Sequence, residues 1–253
     1  MKLSVTPAII FKSLLACIAV LAVMHCVALL GQTLVGGKLA LLTWQMFDLN
    51  HEQNFPTLFS VLQLLLCSGL LLLIHKESRS SGRPEGYYWL ALAAVFVYLG
   101  VDELCELHER AIEPMRRLLK PTGALSFAWV VPYSALALIV GASFIRFWWR
   151  LAPRYRLLFA VAGVFYVTGA IGMEMVGSYL FTQYGWQSLQ FNIETLFEEV
   201  MEMASISLFV FALTELLFLR VGSITVAVPG VVASHPNQEL ITDALDDRRA
   251  SAA

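Results

Sequence analysis

Residues Leu189–Leu219 read LQFNIETLFEEVMEMASISLFVFALTELLFL, and this stretch decides the fold. It is almost wholly apolar, has no Lys or Arg, and is longer than the ~20 residues a helix needs to cross a bilayer. Its charges sit toward its ends: Glu194, Glu198, Glu199 and Glu202 near the start, Glu215 near the finish. We read a membrane helix long enough to protrude. Five further segments qualify as spans: Pro7–Leu30, Phe55–Ile74, Tyr87–Leu107, Ser126–Trp149 and Leu157–Phe181.

The whole chain agrees with that reading. Of its 253 residues 58% are hydrophobic and 14% charged, with a mean hydropathy of +0.70. Soluble domains carry about 25% charge. The sequence therefore specifies an all-α integral membrane bundle of about six transmembrane helices, over residues 1–220. Helices serve because every backbone polar group inside lipid must find a partner within the protein. Leu39–Asn54, with Trp44 and Phe47 beside Asp48 and His51, suits a segment lying in the interface. Residues 221–253 read as a polar, largely disordered tail. The net charge of −2 implies no nucleic-acid partner, and the bilayer is the expected partner. Cys17, Cys26, Cys67 and Cys105 lack CxxC spacing, so they read as small buried thiols rather than a disulfide framework or zinc knuckle.

Lys and Arg placement gives an orientation. Lys76, Arg79 and Arg83 follow the second span, Arg146 to Arg156 the fourth, and Arg220 closes the sixth. No Lys or Arg lies between the fifth and sixth spans. Both termini are expected in the cytoplasm. Arg110, Arg116, Arg117 and Lys120 dissent, but they interleave with Glu106, Glu109 and Glu113 and read as local pairing. In this topology the acids Asp48, Glu52, Asp102, Glu103, Glu106, Glu109, Glu113, Glu174, Glu194, Glu198, Glu199 and Glu202 share the outer end. A carboxylate at the bilayer centre costs roughly 2.5–3.5 kcal/mol on insertion scales, so such acids mark function.

Four constellations follow. In Asp102-Glu-Leu-Cys-Glu-Leu-His108-Glu109, a helix would bring Asp102, Glu106, Glu109 and Glu113 within an arc of about 60°, with Glu103 turned elsewhere and His108 to one side. Oxygen-rich sites with an imidazole suit Zn, Mn or Fe. Pairing with Arg110, Arg116 and Arg117 is the competing account, most of all for Glu106 and Glu113. Glu194, Glu198 and Glu202 fall within about 80°, like charges that need a metal, an Arg or a proton to share a face. Glu174 lies in Gly169-Ala-Ile-Gly172-Met-Glu174-Met-Val-Gly177, where glycines admit a close neighbouring helix. His51 and Glu52 precede Asn54-Phe55-Pro56, a helix start, and would cover the others with Asp48. No other histidine joins the group: His25 and His75 are placed toward the middle or inner side. There is no Walker loop, G-x-S-x-G or HExxH, and no pair of Glu-x-x-His motifs for a standard di-iron bundle.

The segments Phe47–Thr57, Asp102–Glu109, Trp129–Tyr133, Gly172–Met175 and Glu198–Met203 resemble an uncharacterised family of bacterial polytopic membrane proteins. That resemblance covers about residues 40–220 and implies a six-span bundle in the bacterial inner membrane, with no activity attached. It departs at Cys105, where a small residue is expected, so no thiol mechanism follows.

The leading expectation is a divalent metal ion (Zn, Mn or Fe) at Asp102, Glu106, His108, Glu109, Glu174, Glu194, Glu198 and Glu202, with His51 and Glu52, in a protein that binds, senses or moves it. The alternative is a metal-dependent membrane enzyme acting on a lipid-like substrate. A third account, a structural or assembly protein, needs the acids to be held by Arg. A lateral apolar cleft reaching the acids would favour the enzyme.

Overall fold

A computed structural model describes residues 6–222; the expected disordered tail, from 223 on, lies outside the described residues. All elements among them are helical. In chain order they are α1 (Pro7–Leu30), α2 (Gly37–Phe47), α3 (Phe55–Ser80), α4 (Gly86–Cys105), α5 (Leu107–Arg110), α6 (Ile112–Leu119), α7 (Val130–Arg150), α8 (Pro153–Val167), α9 (Glu174–Tyr184) and α10 (Leu189–Val221). Wider π-helical turns continue α1 over Gly31–Val35 and join α8 to α9 over Thr168–Met173. Among the described residues six helices are long and apolar enough to cross a membrane: Pro7–Val35, Phe55–Ser80, Gly86–Cys105, Val130–Arg150, Pro153–Tyr184 and Leu189–Val221.

Local chemistry sets the boundaries. The Thr6 hydroxyl accepts from the Ile9 N–H at 3.3 Å, and Pro7 stands in the first turn of α1. The Asn54 side chain accepts from the Thr57 N–H at 3.2 Å, with Pro56 in the first turn of α3. Ser188 does the same for α10, accepting from Phe191 N–H at 3.3 Å. Each cap satisfies a donor that the helix leaves free. The fifth span starts earlier than expected because Pro153 can open a helix at once. The third stops at Cys105: Glu106 turns left-handed (φ 55°, ψ 40°), so α5 and α6 leave in new directions.

α10 is the central helix, flanked by α1, α3, α8 and α9, and α3 and α4 pair tightly as a hairpin. Water drives none of this inside lipid, so close packing and polar ties hold the helices. Leu71, Ile74, Trp89, Val210 and Leu213 are fully buried where α3, α4 and α10 meet. Buried Gln63 donates to Ser207 Oγ at 2.7 Å, joining α3 to α10; such a tie contributes about 0.6–1.7 kcal/mol. The cysteines are free; Cys67 is buried, but Cys17 and Cys26 are exposed on α1 because its helical turn points them away from the bundle.

One end of the bundle holds the turns at 81–85 and 151–152, and we call it the basic end. There Arg220 donates to Glu77 at 3.2 Å and Ser78 at 2.9 Å and lies 5.4 Å over the Trp89 ring. Arg154 holds Glu215 with two bonds of 2.7 and 2.9 Å. The other, acidic end holds α2, α5, α6 and the 185–188 turn. α7 touches its neighbours mainly near its two ends. Near the basic end Phe147 stacks on Tyr88 at 5.0 Å and meets Trp89 edge-on at 4.8 Å. At the acidic end Tyr133 donates to Asp102 at 2.7 Å. Between these ties α7 stands off from α4, α8 and α10, and a cavity of about 1620 Å³ fills the gap.

Candidate metal centre

The acidic end is built around His108. The break at Glu106 turns α5 back over the mouth of the cavity, and His108 Nδ1 lies 3.1 Å from Asp102 Oδ2. Asp102 is buried at the end of α4, and its other oxygen accepts from Tyr133, whose hydroxyl lies 3.0 Å from that of Tyr98. Asp102 therefore acts on the imidazole as an acceptor: Nδ1–H donates to it and Nε2 is left to face outward. Nε2 points at Glu52 Oε1, 3.5 Å away. Glu52, His108 and Glu109 each offer one ligand atom, and these atoms lie within 4.8 Å of one another. Trp129 packs on the imidazole at 4.8 Å and donates its indole N–H to Glu174 at 2.9 Å.

Below this group the cavity wall carries Glu103, Glu174, Glu198, Glu199 and Glu202. Glycines bring them together. A Cβ on Gly169, in the π turn before Glu174, would sit 2.8 Å from Glu202 Cγ, and one on Gly177 would sit 2.5 Å from Glu194 Oε2. The hydrogen at Gly169 lets the fifth span approach the α10 backbone, and that at Gly177 leaves room for the Glu194 carboxylate, as the glycine spacing predicts. π turns recur at functional sites, and this one directly precedes Glu174. Among the described residues none of the cavity's carboxylates pairs with Lys or Arg. Arg116 and Arg117 pair instead with exposed Glu113, at 3.8 and 3.0 Å.

Outside the spans, burial pushes the Glu52 carboxyl up to about 8, with Glu103, Glu109 and Glu106 adding to it against the His108 charge. Burial works to lower His108, but the hydrogen bond and charge of Asp102, with the charges of Glu52 and Glu174, outweigh it and hold the imidazole at about 9. Burial raises Asp48 to about 6.

The structure gathers Glu52, Asp102, His108, Glu109, Glu174, Glu198 and Glu202 around one cavity. It places three expected ligands elsewhere. Glu106, carried off the Asp102 stripe by the helix break, accepts from Gln53 at 2.9 Å. His51 is exposed on the loop before α3 and faces a second pocket. Glu194 is buried against Gly177, and neither oxygen has a hydrogen-bond partner. His25, expected away from this end, lies close to it: Nδ1 accepts from the Leu49 N–H at 3.1 Å and is 3.7 Å from Asp48. Glu103 and Glu199, outer-end acids that were not among the expected ligands, line the cavity as well. Each adjoins an expected ligand, but a narrow helical stripe leaves no room for both members of such a pair. The cavity wraps far enough around α4 and α10 to take both.

The lower cavity is apolar. Leu136, Val140 and Ile145 of α7 face Phe159, Gly163 and Val164 of α8, and Trp148 lies at the far end. From Tyr133 to Trp148 an α-helix rises about 22 Å, more than the ~15 Å of one leaflet's hydrocarbon. Fold and site together define a multi-pass membrane protein with an acid-and-histidine cluster at the head of a long apolar slot. The chain belongs to a family described as a domain of unknown function, DUF8692, which matches residues 14–216. No curated protein and no solved structure matches it.

Proposed function

We propose that this chain is a metal-dependent membrane enzyme acting on a lipid-like substrate. It would sit in the bacterial inner membrane, with both termini cytoplasmic and the acidic end in the outer leaflet. The observation that carries the metal is the pair formed by His108 Nε2 and Glu52 Oε1. At 3.5 Å they are too far apart for a strong hydrogen bond. Two ligands about 2.0–2.1 Å from a tetrahedral ion stand about 3.4 Å apart, so the pair fits the edge of such a site. Asp102 then orients the ring, as carboxylates do for metal-bound histidines. Glu109 completes the near group, and Glu103, Glu174, Glu198, Glu199 and Glu202 supply further ligands or proton acceptors. Zn, Mn or Fe suits this mixture. His51, Glu106 and Glu194 have no part in it.

The slot favours the enzyme over transport. An ion crossing the bundle would meet Leu136, Val140 and Ile145, which offer it no ligand. An acyl chain would fit there, leaving its head at the carboxylates. The bound metal would activate water or polarise a substrate oxygen. Trp129 and Tyr133 would close the head site against the bilayer. Unpaired acids support this over the structural account, two of whose arginines, Arg116 and Arg117, pair with Glu113 instead.

The test is elemental mass spectrometry of purified protein, followed by lipid mass analysis after incubation of metal-loaded protein with membrane lipids in nanodiscs. We expect near-stoichiometric metal, lost in a His108→Ala, Glu52→Gln variant, and a lipid mass change absent from Glu199→Gln. Metal-free wild-type protein that is folded overturns the metal site. Metal-loaded protein that leaves every lipid unchanged overturns the enzyme.

A further inference from the structure

A second cavity, of about 700 Å³, lies beneath α2 on the far side of Glu52 from the slot. Its wall is more polar than the slot's: Gln45, Asp48, His51, Glu106, Gln187 and Asn192 face it beside Leu29, Leu41, Trp44 and Phe191. Asn50, Glu52, Glu109 and Trp186 line both cavities, so the near ligand group forms the partition between them. The pocket has four acids on its wall, Asp48, Glu52, Glu106 and Glu109, and no Lys or Arg. The two cavities differ in what they admit. An apolar slot rejects a hydrated ion because nothing there replaces its water. The polar pocket replaces water with amides and carboxylates, and its charge draws cations.

We propose that the pocket beneath α2 is a separate aqueous entrance, through which a hydrated divalent cation reaches Glu52 and Glu109 without passing the slot. This rests on the metal reading above and adds a route to it. The site then lies between two media, lipid entering from the bilayer side and the ion from water. The carboxylates that line the pocket would exchange the ion's waters one at a time on its way to His108. His51 and Glu106, which the metal centre leaves out, acquire a place on that path.

The experiment uses full-length protein with Cys17, Cys26, Cys67 and Cys105 replaced, carrying Asn192→Cys on the pocket wall or Val140→Cys in the slot. Cationic and anionic methanethiosulfonates of similar size are the probes. We expect Asn192→Cys to react at least tenfold faster with the cationic reagent, to be slowed by Mn²⁺, and to lose the preference when Glu106 and Asp48 become Gln and Asn. Val140→Cys should react with neither reagent. Gln45→Cys reads the opposite wall should Asn192→Cys fail to fold. Equal rates with both reagents, or no reaction at either pocket position, overturn the entrance. Metal content of the same protein keeps the two ideas apart. A metal-loaded protein with an unreactive pocket sinks the entrance alone. A metal-free protein that still prefers the cationic reagent sinks the metal centre and leaves a cation-selective pocket.

Discussion

The two ends of the bundle treat the same side chain in opposite ways. At the basic end Glu77, Glu85 and Glu215 each have a guanidinium, from Arg220, Arg83 or Arg154. The helices there close on a filled core of Trp89, Phe147 and Phe159. At the acidic end the glutamates face one another across a cavity, and Arg116 and Arg117 turn to Glu113. A paired glutamate is part of the scaffold. A membrane glutamate without a cation raises the energy of the folded chain until a proton or metal joins it, and a protein tolerates that where it needs the charge.

The comparison can be broken most forcefully at the basic end. Arg220→Ala would leave half-buried Glu77 with only the longer pairing to Arg83 at 3.7 Å and the Ser81 hydroxyl, and would strip the cation from Trp89. We expect a loss of about 3 kcal/mol in stability, from two charge-assisted hydrogen bonds and a cation–π contact, read by thermal unfolding in detergent, with metal content per folded molecule unchanged. A fall in metal content without unfolding would show that the two ends are coupled.

At the acidic end the order reverses: affinity should suffer before stability does. His108→Ala is expected to weaken metal binding at least 100-fold, equivalent to about 3 kcal/mol. Asp102→Asn, which keeps a side chain beside the ring but disturbs its orientation, should cost about 10–100-fold. Titration with a competing chelator separates them. Equal losses would mean that Asp102 is itself a ligand, as its sequence position alone suggests.

Asp48 sharpens the contrast through pH. Its folded pKa of about 6 lies above the ordinary 3.8, because burial disfavours its charge. The folded state therefore holds the proton more tightly, and Asp48 lowers stability progressively as pH rises from about 4 to 6. Below that window the effect is absent, and above it the effect is complete. Asp48→Asn keeps an acceptor for the Asn50 N–H, now 3.1 Å from the carboxylate. Its stability relative to wild type should improve by roughly 2–3 kcal/mol between pH 4 and 6 and then stay level. A constant difference across that range would place the unfavourable charge elsewhere.

How much of this the sequence discloses depends on the range of the interaction. The six spans, the cap at Asn54 and the close approach at Gly169 are legible because they follow from composition, one side chain, or a missing one. The meeting of Asp102, His108, Glu174 and Glu198 is legible too, since topology alone brings those helix ends to one level. Glu106 was misplaced because straight-helix geometry fails where a residue turns left-handed, and nothing in Cys105-Glu106-Leu107 announces that turn. The slot has no local signature at all. It arises because α7 is tied at Tyr133 and Phe147 and not between them, which is a property of two distant contacts. Its existence is what the proposed enzyme rests on among the readings that the sequence leaves open.

The smallest expected effect tests that slot directly, by making one substitution at two glycines. Gly177 lies in the seam between α9 and α10, where a Cβ would come within 2.5 Å of Glu194 Oε2. Gly177→Ala must displace the carboxylate end of Glu194, which is buried but has no hydrogen-bond partner to lose, and overpacking of that kind costs about 1 kcal/mol. Gly141 faces the cavity from the middle of α7, and a Cβ there has no heavy atom within 4 Å. Gly141→Ala should therefore gain the ordinary helical advantage of alanine, about 0.5–1 kcal/mol. The two substitutions should shift the melting temperature in opposite directions. If Gly141→Ala destabilises as Gly177→Ala does, α7 rests against its neighbours in the bilayer. The space for an acyl chain then disappears, and with it the reason for preferring a lipid-directed enzyme to an ion-binding protein.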